Sequence, residues 1–344
     1  MLRQNNLFWI AAAISNILFM YWTILIYKYH LSFETKQLGN ETVWKAKKNL
    51  HKNKIITRNE NLPFCAENSS VFKGLIGIQK VSPDMKVMEK VFSMLAPGGH
   101  GEPRNCRARH RIAIIVPYRN RPLHRRLFLY NMHQWLPKQM LDYMVIIISQ
   151  LGKEKFNRGA LMNIGFVEAQ KLYDWECFIF HDIDLLPEND RIPYRCLDQP
   201  VHLSAAISKY NYSIPYKNNF GGICAFTKEQ FLRMNGFSND YWGWGGEDDD
   251  AHNRVLLAGY SISRYPKSLA RYTMLPHANQ AGTSNASNCY TPSINETLSK
   301  WKKSGLSSLN YHLDSIKFLP LYLSIQVTLM DKGQERLLQN SSDC

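Results

Sequence analysis

An α/β domain with a largely parallel sheet is the fold class this chain predicts, and three observations predict it. Ile112–Val116, Tyr143–Ile148 and Cys177–Phe180 are short continuous apolar runs, as strands buried on both faces require. The segments between them space their apolar residues as helices do: Leu123, Leu127, Leu129 and Met132 in one, Leu161, Ile164 and Val167 within Asn157–Tyr173 in the other. Polar residues follow each run: Arg119 and Arg121 after the first, Phe156-Asn-Arg158 after the second, Asp182 and Asp184 after the third. Strands alternating with helices pair in parallel, and such sheets bind ligands beyond the carboxyl ends of their strands. The three clusters therefore mark one predicted site.

Taken in order, residues 1–6 form a short tail. Leu7–Tyr27 is uncharged and mostly apolar, and at ~1.5 Å per residue it spans the ~30 Å hydrocarbon core of a bilayer. Trp9, Tyr21, Trp22 and Tyr27 put aromatic rings near its two ends, as membrane interfaces favour. No small-x-small cleavage site follows closely, so a retained signal-anchor is expected rather than a cleaved signal peptide. Residues 28–62 are polar and lysine-rich without apolar periodicity, a stem rather than a folded unit. Residues 63–344 are expected to form a single catalytic domain on the lumenal side. Sequons at Asn40, Asn68, Asn211, Asn285, Asn295 and Asn340 all follow the anchor, as a lumenal or extracellular domain would have them. Seven cysteines with no CxxC pair suit an oxidising compartment and argue against zinc, and the odd number leaves at least one unpaired. The net charge of +14 invites an acidic partner. Nucleic acid is not that partner: no reading motif accompanies the basic residues, and the anchor and sequons contradict it.

Three stretches carry chemistry. Asp182-Ile-Asp184 sets two carboxylates at a strand end, where they can hold a divalent cation and, through it, a diphosphate. Trp242-Gly-Trp-Gly-Gly-Glu-Asp-Asp-Asp250 places four acids against two tryptophans and three glycines. The rings can stack on a sugar, the glycines let the backbone swing, and mutual repulsion raises the pKa of at least one carboxylate towards that of a general base. Met274-Leu-Pro-His277 belongs to a turn or extended segment, because Pro276 excludes a helix interior. A thioether is a soft ligand, so hard–soft reasoning alone does not nominate Met274 for a hard ion.

Pro117-Tyr-Arg-Asn-Arg121, Phe156-Asn-Arg158, Phe180-His-Asp-Ile-Asp-Leu185, Phe220-Gly-Gly222, Asn235-Gly-Phe237 and Trp242–Asp250 occur in the order found in the β-1,4-galactosyltransferase family, and residues 63–330 resemble it as a whole. The resemblance implies a GT-A-type glycosyltransferase fold with a Rossmann-like mixed sheet. It implies a single-pass type II Golgi membrane enzyme that transfers a sugar with inversion from a UDP donor, using Mn2+. The acceptor would be a terminal GlcNAc or Glc on a glycoprotein or glycolipid. Carried over by motif, Asp184, Met274 and His277 look like the metal ligands and Asp248 like the catalytic base. Glu247 and Asp249 resemble contacts to sugar hydroxyls, and Trp244 resembles the tryptophan that closes over the donor. Pro117, Tyr118, Arg119, Arg121, Phe156, Arg158 and Asp182 match nucleotide-binding positions. Cys65 with Cys106, and Cys177 with Cys196, match two disulfides, leaving Cys224, Cys289 and Cys344 over.

The chain departs from the family pattern in two places. Asn219 stands before Phe220-Gly-Gly222, where galactose-specific members carry a bulky Tyr. A smaller side chain that can donate to an acetamido oxygen suggests that UDP-GalNAc is used, besides UDP-Gal or in preference to it. Residues 285–295 lack the Arg-Phe acceptor segment of GlcNAc-using members, with Tyr290 as the candidate stacking face. A catalytically silent sugar-binding membrane protein of the same fold is the other reading. The intact Asp184, Asp248, Met274 and His277 argue against it.

Overall fold

In the computed structural model the described residues are 62–66, 71–276 and 291–329. The tail, the anchor and nearly all of the stem lie outside them. Among the described residues no helix is long and apolar enough to cross a membrane.

Helix α1 (Met85–Val91) precedes strand β1 (Arg111–Tyr118). The strand extends the apolar run Ile112–Val116 through Pro117 to Tyr118. Pro117 is tolerated because it sits at the carboxyl edge, where the ladder is about to open. Helix α2 (Pro122–Trp135) buries Leu127, Phe128, Leu129 and Met132, with Pro122 at its first turn where a missing N–H costs nothing. Strand β2 (Asp142–Gln150) follows, then helix α3 (Arg158–Leu172), whose N-cap Asn157 accepts the Ala160 N–H. Helix α3 is buried nearly all round. Strand β3 (Cys177–His181) leads into β4 (Leu185–Pro187), β5 (Val201–His202), β6 (Ala206–Ile207) and β7 (Ile223–Thr227). Helices α4 (Lys228–Arg233) and α5 (Glu247–Leu257), strands β8 (Ser263–Arg264) and β9 (Arg271–Met274), helix α6 (Ile294–Lys300) and the hairpin β10 (Tyr311–Phe318) and β11 (Leu323–Leu329) complete the set.

The main sheet has eight strands in the order β10-β11-β2-β1-β3-β7-β5-β8. Its centre is parallel, with β1 between β2 and β3 and β11 beside β2. Towards the flanks antiparallel pairs enter: β7 runs antiparallel to both β3 and β5, and β10 antiparallel to β11, while the edge strand β8 is again parallel to β5. The sheet is thus mixed, as the family resemblance implied, whereas strand–helix alternation by itself suggested a largely parallel one. That expectation failed where residues 182–222 make an excursion with no crossover helix, so that β7 returns against β3. Strands β4 and β6 of that excursion flank β9 in a second sheet, β4-β9-β6.

Below the site, α3, β3, β7 and α4 enclose a cluster of phenylalanines. Phe180 stacks on Phe231 at 4.5 Å, and Phe166 meets Phe178 edge-on at 4.6 Å. The two disulfides are Cys65–Cys106 and Cys177–Cys196, as the family pattern implied. Cys224 is a free buried thiol, and Cys289 and Cys344 lie outside the described residues.

Candidate active site

The site grows from the ends of β1, β2 and β3. Arg158, the first residue of α3, is its hub. Its Nε donates to Asp182 Oδ1 (2.7 Å), its Nη1 to Glu247 Oε1 (3.2 Å) and its Nη2 to the Gly222 carbonyl (3.2 Å). One planar guanidinium thereby joins the strand-end acids to the acids of α5. Burial alone would lower the pKa of Arg158, but Asp182, Glu247 and Asp248 overcome that and raise it. Burial pushes the Asp182 carboxyl up to about 6, against the pull of Arg158.

Asp184 is buried and accepts from Arg121 Nη1 at 3.3 Å. It directly precedes β4, which pairs antiparallel with β9 so that Leu185 faces Met274, and the Leu275 N–H donates to the Asp184 carbonyl at 2.7 Å. The register therefore places Met274 opposite the residue that follows Asp184. His277 lies outside the described residues. Among the described residues no group of three His, Cys, Asp or Glu side chains is assembled for a metal. The residues fit a cation that arrives with an anionic partner, because Arg121 has already offset part of the Asp184 charge.

The four acids do not form a loop, as a mobile acidic strip would; they make the first turn of α5. Gly243, Gly245 and Gly246 lead into it with φ of 102°, 96° and 88°, a left-handed run that only glycine adopts without strain. A helix N-terminus favours acids, and the turn sends each to a different neighbour. Glu247 faces Arg158. Asp249 accepts from the Tyr216 hydroxyl at 2.9 Å and from Thr291 Oγ1 at 3.3 Å. Asp250 turns inward to fully buried Arg254 and takes the Thr297 hydroxyl at 3.0 Å.

Asp248 is different. Its Oδ2 lies against the Cα of Gly221: a β-carbon built there would stand 2.3 Å from that oxygen and 3.8 Å from the Asn219 amide nitrogen. Any side chain at residue 221 would displace Asp248. Burial first, then the charges of Glu247 and Asp249, raise the Asp248 carboxyl to about 7, against the lowering effect of Arg158. The repulsion expected from sequence is present, and burial outweighs it.

The remaining expected residues fall around this core. Arg119 lies over the Phe156 ring at 5.3 Å and donates to the Glu154 carbonyl. The Tyr118 hydroxyl accepts the Arg121 N–H at 3.1 Å, and Pro117 and Tyr118 are buried in the end of β1. Trp242 is buried, whereas Trp244 is half-exposed, and the Gly243 N–H donates to the Phe156 carbonyl at 2.8 Å. Tyr290 lies outside the described residues. Tyr216 was not singled out from sequence, and Gly221 entered only as part of the Phe220-Gly-Gly222 motif. The Tyr216–Asp249 bond joins residues 33 apart, and no local pattern announces it.

The family sequence model described as "N-terminal region of glycosyl transferase group 7" matches residues 65–197, and that described as "N-terminal domain of galactosyltransferase" matches 201–278. Beta-1,4-galactosyltransferase 1 of Mus musculus is 41% identical over 270 residues, which cover 78% of this chain and 67% of the relative. The chain belongs to the β-1,4-galactosyltransferase family. Beta-1,4-galactosyltransferase 4 of Cricetulus griseus is 43% identical over 262 residues, 75% of this chain and 76% of the relative. Among solved structures, the catalytic domain of Drosophila β1,4-galactosyltransferase 7 in complex with xylobiose has a TM-score of 0.55 at 26% identity, covering 67% of this chain and 97% of that one. A mutant of the same Drosophila enzyme, in complex with manganese, UDP-Gal and xylobiose, scores 0.54. The fold is GT-A, with a mixed sheet.

The two family regions are stitched together by side chains. Asn163 Nδ2 donates to the Phe237 carbonyl (2.7 Å) while its Oδ1 accepts the Phe237 N–H, and Asn157 Nδ2 donates to the Asn239 carbonyl (2.7 Å). With Arg158–Glu247, these bonds explain why the galactosyltransferase site is assembled from both.

Proposed function

We propose that this chain is an inverting β-1,4-glycosyltransferase that uses a UDP-sugar and a glycan acceptor. The observation that carries the reading is Asp248: a half-buried carboxyl raised to about 7, pressed on Gly221 and tied through Arg158's field to the strand-end acids. A carboxylate with that pKa is suited to take a hydroxyl proton at neutral pH. In the proposed step Asp248 accepts the proton of the acceptor's 4-hydroxyl as that oxygen bonds to the anomeric carbon. The bond from that carbon to the UDP oxygen breaks on the opposite face, so an α-linked donor gives a β-linked product. Asp184, Met274 and His277 would hold the manganese ion, which when bound supplies a Lewis acid for the charge on departing UDP. Arg119, Arg121, Phe156, Arg158 and Asp182 would hold the nucleotide diphosphate, Glu247 and Asp249 the acceptor hydroxyls, and Trp244 would exclude water.

Asn219 supports a donor range that includes UDP-GalNAc, since its amide shares with Asp248 the space beside Gly221. Two disulfides and the exposed sequon residues Asn211 and Asn295 support a lumenal location. Anchorage in the Golgi membrane through residues 7–27 belongs to the same proposal.

The test is a donor panel of UDP-Gal and UDP-GalNAc against free GlcNAc and glucose, with and without manganese, the product linkage being read by NMR. Manganese-dependent formation of a β-1,4 disaccharide is expected. Failure of every donor ends the enzymatic reading, and transfer from UDP-Gal without any from UDP-GalNAc ends the role given to Asn219.

A further inference from the structure

Residues 214–222 carry the donor-facing Asn219 and the Gly221 on which Asp248 rests, yet they contain no helix or strand. Backbone carbonyls in such a segment need partners from elsewhere. Arg264 supplies them. It lies on β8 at the sheet edge, and its Nη2 donates to the Asn219 carbonyl at 2.8 Å and to the Lys217 carbonyl at 3.3 Å. Its Nε donates to His202 Nδ1 at 3.1 Å, the two residues being direct partners in the parallel β5–β8 pair.

His202 passes the constraint on. With Nδ1 accepting, its proton sits on Nε2, which donates to the Gly221 carbonyl at 2.9 Å. Burial, and then Arg264, push the His202 pKa down to about 3, so the ring keeps this neutral tautomer at any working pH. Ser204 Oγ donates to the same Gly221 carbonyl at 3.0 Å and accepts the Ile223 N–H at 2.8 Å. Three carbonyls of the segment thus hang from one edge pair of the sheet, and none of the three anchoring side chains belongs to the nucleotide, metal or base positions.

We propose that Arg264 is a positioning residue for donor-sugar selectivity: with His202 it fixes the backbone of 217–221, and so sets where the Asn219 amide stands relative to Asp248 and the 2-substituent of the donor sugar. The inference rests on the transferase reading only for the identity of the donor. Selectivity comes from placing one short side chain to within a fraction of an ångström, and a main chain held at its carbonyls provides that. A lysine at 264 can reach one carbonyl but cannot span two carbonyls and an imidazole.

The experiment uses the full chain in detergent, as wild type, Arg264→Ala, Arg264→Lys, Asn219→Ala and the Arg264→Ala/Asn219→Ala double variant. Kd values for UDP, UDP-Gal and UDP-GalNAc with manganese are measured beside kcat and KM for both donors. In Arg264→Ala the ratio of the two UDP-sugar Kd values should move towards one by about fivefold, with Arg264→Lys between it and wild type, while the Kd for UDP stays within about twofold. The shift should vanish when Asn219→Ala is already present, since the effect runs through that side chain. Equal weakening of UDP and both UDP-sugars, or the same ratio shift in the Asn219→Ala background, would overturn the proposal and leave Arg264 a structural residue. The binding ratio also separates the two readings. A wild-type chain that discriminates UDP-sugars without transferring them defeats the enzyme and still tests Arg264, whereas a chain that binds no UDP-sugar defeats both.

Discussion

The site contains two acidic clusters, and they are handled in opposite ways. Asp182 and Asp184 end a strand and are separated by being given one arginine each, Arg158 and Arg121. The four consecutive acids of α5 open a helix, and successive residues there point about 100° apart. Glu247 is matched to Arg158, Asp249 to two hydroxyls and Asp250 to a buried guanidinium, while among the described residues Asp248 forms no ion pair of its own. Neighbouring acids in a sequence thus become two separately paired carboxylates in one setting. In the other they become three spent charges and one basic carboxylate.

The comparison breaks most sharply at Asp248. On the proposed mechanism Asp248→Asn removes the proton acceptor at nearly constant shape, and turnover should fall by about 10³-fold or more while the Kd for UDP is unchanged. Equal loss of both would show that Asp248 is structural. Asp250 should behave in the opposite sense. Asp250→Ala strands Arg254, which is fully buried, and should cost about 3 kcal/mol of stability in denaturant titration, with donor discrimination retained in the folded fraction. Asp184→Asn should lower manganese-dependent turnover by about 100-fold, the scale of a lost Lewis-acid ligand, with a matching loss of manganese affinity by titration.

The smallest effect is pH dependence, which separates the activity of Asp248 from its cost. Below about 7 the carboxyl is protonated and cannot accept, so kcat/KM should fall about tenfold per pH unit on the acid side. Stability moves the other way. A native pKa raised from the ordinary 3.8 means that the folded state holds the proton more tightly than the unfolded one. Stability is therefore greatest below about pH 4 for this group and is lost as the pH rises to about 7. Thermal melts of Asp248→Asn against wild type should diverge at pH 7, with the variant the more stable, and converge towards pH 4.

Much of this was legible in the residues. The three apolar runs are the central strands, and Asn157–Tyr173 contains α3 with Asn157 as its cap. Those segments have a single period, and burial on every side leaves no competing conformation. Helix α5 was not legible, because Asp is a poor helix former away from an N-terminus and the three glycines before it read as a loop. The reversal of β7 was hidden because a short apolar strand carries no mark of its direction. The nearness of Asp184 to Met274 lay beyond residue-level chemistry as well: β4 begins one residue after Asp184, and its register places Leu185 opposite Met274.

The bonds that Asn157, Arg158 and Asn163 send to Asn239, Glu247 and Phe237 cross from one half of the catalytic unit to the other. They restrict how this enzyme can be recombined with its relatives. A chimera joined near residue 200 inherits donors from one parent and acceptors from the other, and it can work only if both parents use the same amides and the same guanidinium at that seam.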